Sequence, residues 1–166
     1  MTGEIRITID PGSPGVAKLE RLIQRAENKA GLLKNIGEAL LETTLERFDS
    51  QKDPQGRAWT PLKPLTIEAR GNSSPILTVS GRLKGSLNYE VSGDALKLGP
   101  SAIHGAVHQF GATIKGKKGP LRIPLKRGGA AYARKVTIPA RPYVGFGPDD
   151  EKAATETAQD WLDLDE

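Results

Sequence analysis

Cysteine is absent from the 166 residues. This excludes disulfides, thiolate nucleophiles and zinc or iron–sulfur sites held by cysteine. Long apolar runs are missing too: the longest, Ala130–Ala133, has four residues. A membrane-spanning helix needs about 20, so no membrane partner is expected. Residues 1–4 (Met-Thr-Gly-Glu) start no basic stretch with an apolar core behind it, and no secretory leader is expected. Aromatic residues are scarce, at 5%. Glycine and proline are plentiful, at 19 and 12, which points to compact elements joined by long loops. The 37% hydrophobic share supports one core, and the length fits one domain.

Charge is segregated along the chain. Residues 112–141 hold nine basic side chains (Lys115, Lys117, Lys118, Arg122, Lys126, Arg127, Arg134, Lys135, Arg141) and no acidic one. Residues 148–166 hold eight acidic side chains against Lys152. Such a chain is suited to binding nucleic acid, to binding partners, or to pairing head to tail with its own copies.

Ile5, Ile7 and Ile9 alternate with polar residues and predict a short strand. Apolar residues from Leu19 to Phe48 then recur at three- and four-residue steps, predicting two helices, near 17–29 and 32–50, broken at Gly31. Asp53-Pro54-Gln55-Gly56 has the residue preferences of a type I turn. A short helix is predicted over 76–87, a hairpin over 87–98, another short helix over 101–110, and strands at 121–125 and 136–138. Residues 111–135 read as a Gly- and Lys-rich loop, and a final helix is expected over 149–162.

Candidate chemistry is sparse. His104 and His108, the only histidines, stand four apart and would share a helix face, but no glutamate follows His104 and no cysteine can complete a metal site. The expectation is that His108 bonds neighbouring backbone while His104 is exposed. Ser80-Gly81 lacks the glycine two positions upstream that a nucleophile elbow requires. No phosphate-binding loop is present. No catalytic residue, cofactor or metal is therefore expected. The basic segment suits DNA phosphates, yet no aromatic lies between Phe110 and Tyr132 to stack bases.

The order of several short motifs resembles the phage virion morphogenesis family, the tail completion proteins of Mu-like phages. They are Leu32-Leu33-x-x-Ile36-Gly37 leading to Arg47-Phe48; Asp53-Pro54-x-Gly56-x-x-Trp59-x-Pro61-Leu62; Leu77-x-x-Ser80-Gly81-x-Leu83; His108-Gln109-Phe110-Gly111; and Ile138-Pro139-Ala140-Arg141-Pro142-Tyr143. The resemblance covers about residues 17–162 and treats 1–166 as one domain.

It implies a structural protein of the virion, made in the host cytoplasm, that completes the tail or joins head to tail at the neck. It implies an α+β subunit in a ring, expected as a hexamer, touching other tail or neck proteins. The arrangement expected is two N-terminal helices and a C-terminal helix on a mostly antiparallel sheet, with a long flexible basic loop. The structural motif residues are Asp53, Pro54, Gly56, Trp59, Ser80, Gly81, His108, Gln109, Phe110 and Gly111. Trp59 is expected to be buried, Ser80-Gly81 to start a helix and Gly111 to end one. Partner contacts are expected from Lys115, Lys117, Lys118, Arg141, Tyr143, Asp160 and Asp163, with a DNA-binding module on 112–141 as the alternative.

Overall fold

The computed structural model describes residues 14–73 and 75–162. The strand expected at Ile5–Ile9 lies outside them, as does Asp163. Helix α1 (Pro14–Glu27) leads into the long α2 (Lys29–Ser50). The break falls at Asn28 rather than Gly31, because the Asn28 carboxamide accepts from the Gly31 amide at 3.0 Å and caps α2. Gly31 serves packing instead: a Cβ there would lie 2.7 Å from the Trp161 ring.

A short helix α3 (Pro64–Arg70) follows the turn at 53–56. It starts on a proline, whose missing N–H is no loss in a first helical turn. The region 76–87, expected to be helical, forms bends and turns with a single 3-10 turn at Lys84–Ser86. Its buried Ile76, Leu83 and Leu87 point into the core without a continuous helix. Strands β1 (Leu87–Ser92) and β2 (Ala95–Pro100) form the expected hairpin, with Tyr89 opposite Leu98. Helix α4 is confined to Gly105–Phe110.

The segment expected to be a flexible basic loop is mostly paired strand. Strand β3 (Ala112–Lys115) pairs antiparallel with β6 (Lys135–Ile138), and between them β4 (Leu121–Pro124) pairs with β5 (Ala130–Ala133). The α+β class holds, but among the described residues the strands form three separate two-stranded ladders rather than one sheet. Helix α5 (Pro148–Leu162) closes the fold.

Helix α2 is the centre of the packing, with α5 on one side and the β1–β2 hairpin on another. Gly37 permits the hairpin's approach, since a Cβ there would overlap the Tyr89 ring. The core joins Phe48, Trp59, Ile76, Leu83, Leu87 and Tyr143. Phe48 meets Trp59 edge-on at 5.5 Å and Tyr143 at 5.3 Å between ring centroids, separations that favour aromatic pairs.

Candidate functional site

Residues of two of the short motifs, Trp59 to Pro61 and His108 to Gln109, converge on one irregular stretch, 139–147. This stretch follows β6, and prolines at 139 and 142 keep the residues before them out of the helical region. Its backbone polar groups cannot pair within a helix or sheet, so side chains and neighbouring loops supply the partners. The Trp59 indole N–H donates to the Pro142 carbonyl at 2.7 Å. The Gln109 carboxamide oxygen accepts from the Tyr143 and Val144 amides, both at 3.1 Å, and its Nε2 donates to the Val144 carbonyl at 2.7 Å. The Arg141 amide donates to the His108 carbonyl at 2.8 Å.

Arg141 and Tyr143, expected at a partner contact, are instead 4% and 1% exposed. The Arg141 guanidinium donates from Nε to the Thr60 carbonyl at 2.7 Å and from Nη2 to the Pro61 carbonyl at 3.0 Å. It ties the stretch to the loop after Trp59. Burial, then the charge of Arg70, pulls the Arg141 pKa below its ordinary value. Burial raises that of the Tyr143 hydroxyl.

Beneath the stretch lies a buried ion pair that sequence pattern alone does not disclose. Arg47 Nη2 on α2 donates to Asp150 Oδ2 on α5, with side chains 7% and 1% exposed. Asp150 also accepts from the Thr43 hydroxyl at 2.6 Å and from the Gly147 amide at 2.8 Å. Arg47 Nη1 reaches the Tyr143 carbonyl at 3.2 Å. Asp150 belongs by sequence to the acidic segment, yet it serves the interior. A local signal exists: Pro148 opens α5 and an acid stands at its third position, reaching back to the amide before the helix.

The turn at 53–56 and Gly111 border this clamp, with Pro54 against Gly145 and Gly147 and Gly111 against Ala140. Asp53 Oδ1 accepts from the Gln55 and Arg57 amides, each at 2.9 Å, and Oδ2 from Arg57 Nε at 2.7 Å. Burial alone would raise the Asp53 pKa; the Arg57 amide and side chain, the Gln55 amide and the Arg57 charge together hold it below the ordinary value. Pro54 is buried and Gly56 closes the turn onto the Asp53 carbonyl at 2.9 Å. Gly111 ends α4 at φ 74°, and a Cβ there would come within 2.8 Å of the Ala140 amide. Only glycine combines that dihedral with that approach. Phe110 is 78% exposed. Ser80 and Gly81 start no α-helix; the Gly81 carbonyl accepts from the Gly85 amide in the turn before Lys84–Ser86.

His104 lies at the start of α4 and His108 within it. Their rings stand edge-on at 6.0 Å, and no group of three metal-ligating side chains occurs among the described residues. His108 does not bond neighbouring backbone through its ring: its buried Nδ1 lacks a partner. Burial, then the charges of His104 and Arg141, lowers its pKa. Lys115, Lys117, Lys118 and Asp160 are all exposed to solvent. Among the described residues no helix is long and apolar enough to cross a membrane.

These side chains hold backbone in place, and the described residues make an α+β fold built around one braced segment. The chain belongs to the phage virion morphogenesis family, whose model matches residues 16–163. It is 28% identical over 160 residues to the Mu-like prophage FluMu G protein 2 of Haemophilus influenzae, covering 96% of this chain and 97% of that protein. It is 29% identical over 119 residues to a proposed capsid assembly protein G of Escherichia phage Mu, covering 69% of this chain and 67% of that protein. No solved structure matches it. Its role is accordingly in phage structure or assembly.

Proposed function

We propose that this chain is a structural subunit that completes the phage tail or joins tail to head, and that its copies form a ring, expected as a hexamer, at the neck or head-proximal end. It acts by assembly and not by turnover, made in the host cytoplasm and ending in the virion. The observation that carries this reading is the clamp on residues 139–147. Large apolar side chains stand exposed around it, Phe146 at 62%, Phe110 at 78% and Ile103 at 98%. Ile103 and Phe110 border a hollow that also takes in Tyr143 and Val144. A rigid segment beside exposed apolar groups suits a surface that other copies and tail or neck proteins cover.

Ring closure needs heterologous contacts, one patch against a different one on the next copy. The separation of basic and acidic segments supplies such a pair in outline. Exposed ion pairs of this kind steer and orient more than they hold.

Sedimentation velocity of the purified chain over a wide concentration range tests the reading. A closed oligomer of fixed size, growing with concentration and weakened by salt, is expected. A monomer at every concentration, coupled with salt-sensitive retention on duplex DNA, would replace it with a DNA-binding module on residues 112–141.

A further inference from the structure

A second surface has a more specific chemistry. Between α3 and strands β4–β6 lies a groove of about 410 Å³. Leu65, Ala69, Ile123 and Val136 give it an apolar lining, and the exposed Lys63 and Lys135 give it positive charge. Arg141 and His108 also line it, and among the described residues no carboxylate does. Strand β6, which contributes to the groove, pairs with β3 alone among the described residues. It thus keeps one edge without a neighbouring strand, where the Lys63 ammonium donates to the Thr137 carbonyl at 3.1 Å; such an edge is the arrangement an added extended segment uses. A groove that is apolar, cationic and flanked by such an edge calls for an extended segment alternating apolar and acidic residues.

The chain carries one. Residues 162–166 read Leu-Asp-Leu-Asp-Glu. Leu162 ends α5, and an extended continuation would set Leu164 and Glu166 on one side and Asp163 and Asp165 on the other. Helix α5 delivers this stretch from a fixed point: the Trp161 indole donates to the Arg25 carbonyl at 3.0 Å, and Arg25 Nη1 donates back to the Trp161 carbonyl at 3.2 Å. Leu162, just beyond, is 42% exposed.

We propose that the groove between α3 and β4–β6 receives residues 162–166 of a second copy of this chain. Leu164, with Leu162 at the helix end, meets the apolar lining, and Asp163 and Asp165 on the other side of the segment meet the exposed Lys63 and Lys135. The contact is heterologous, groove to tail, so it propagates from copy to copy and closes a ring when the rotation allows. It rests on the reading of the chain as a self-assembling subunit and names the two surfaces that meet.

The test is charge exchange in the full chain, read by sedimentation velocity at low salt. Lys63→Glu with Lys135→Glu, and separately Asp163→Lys with Asp165→Lys, are each expected to weaken self-association about tenfold, the sum of a few exposed ion pairs. The variant carrying all four exchanges is expected to regain the wild-type constant. Leu162→Ser with Leu164→Ser, which disturbs neither the charges nor the groove, is expected to weaken association at low and high salt alike. Circular dichroism confirms that each variant is folded.

If the wild type assembles and every variant assembles equally well, the groove is not the docking site, while the assembly reading stands. If the wild type stays monomeric throughout, the assembly reading fails and this inference with it. If the lysine exchange removes only DNA retention, the groove binds phosphate and the inference is overturned. It is overturned equally if the aspartate exchange alters only amide exchange along β6 within a monomer, because the tail then folds onto its own groove.

Discussion

Replacing Asp150 by alanine isolates what holds the braced segment to the two long helices. The carboxylate is 1% exposed and serves three donors: Arg47 Nη2, the Thr43 hydroxyl and the Gly147 amide. Removing it leaves the Arg47 guanidinium buried without its counter-charge. Breaking such a pair from one side costs about 3–5 kcal/mol, mostly the desolvation of the stranded charge. A domain of this kind has about 5–15 kcal/mol in all, so Asp150→Ala removes a large part of it. With a urea slope of about 2 kcal/mol per molar, the unfolding midpoint should fall by about 2 M.

The double variant Arg47→Met/Asp150→Ala tests the cause. It removes the stranded charge, so it should be more stable than Asp150→Ala alone, although the Tyr143 carbonyl and the Gly147 amide still lose partners at about 1–3 kcal/mol each when left buried and unsatisfied. Equilibrium urea unfolding followed by tryptophan fluorescence measures both. A loss below about 1 kcal/mol for Asp150→Ala, or a double variant less stable than the single by the full cost of a second independent loss, would refute the reasoning.

Trp59→Ala should cost about 3–5 kcal/mol, as for a large buried aromatic, with the Pro142 carbonyl losing its donor besides; urea unfolding checks it. Gly37→Ala should cost about 1–3 kcal/mol by overpacking, since the new Cβ would overlap the Tyr89 ring on the adjoining hairpin; a neutral effect in thermal unfolding would show that the hairpin moves freely on α2. Stability should fall on acidification in two windows. His108, held neutral by its surroundings, contributes fully above its unfolded value of about 6.5, and that contribution is lost as pH falls toward its lower folded value. Asp53, its pKa depressed, contributes fully above its unfolded value of about 3.9 and loses that as pH falls through its folded value. His108→Gln should flatten the first window only, measured by unfolding midpoints from about pH 4 to 8, a range that spans the ordinary histidine value.

Local periodicity makes the long helices and the β1–β2 hairpin readable, because side chains three or four apart, or two apart, report their own element. The break between α1 and α2 is harder to place. Glycine's low helix propensity points to Gly31, whereas Asn28 caps the helix and Gly31 is where Trp161 packs. The β3–β6 ladder is hidden for a different reason. Its partners, such as Thr113 and Thr137, are separated by the whole β4–β5 hairpin, and a Gly- and Lys-rich stretch resembles a loop when pairing is not visible. Arg141 and Asp150 look like surface charge by residue type. Their burial depends on backbone and side-chain partners 80 and 103 residues away, which no local pattern carries. The turn at 53–56 and the residues Trp59 and Gln109 are legible as motifs, but not their common target, because the 139–147 stretch has no regular structure of its own.

The most direct test of the assembly role is electron microscopy of lysates in which the gene for this chain has been inactivated in its phage or prophage. Closed heads and tails that accumulate separately are expected, with joined particles restored when the wild-type chain is supplied. Absence of closed heads, with tails of ordinary form, would contradict the neck or tail role and assign the chain to the capsid instead.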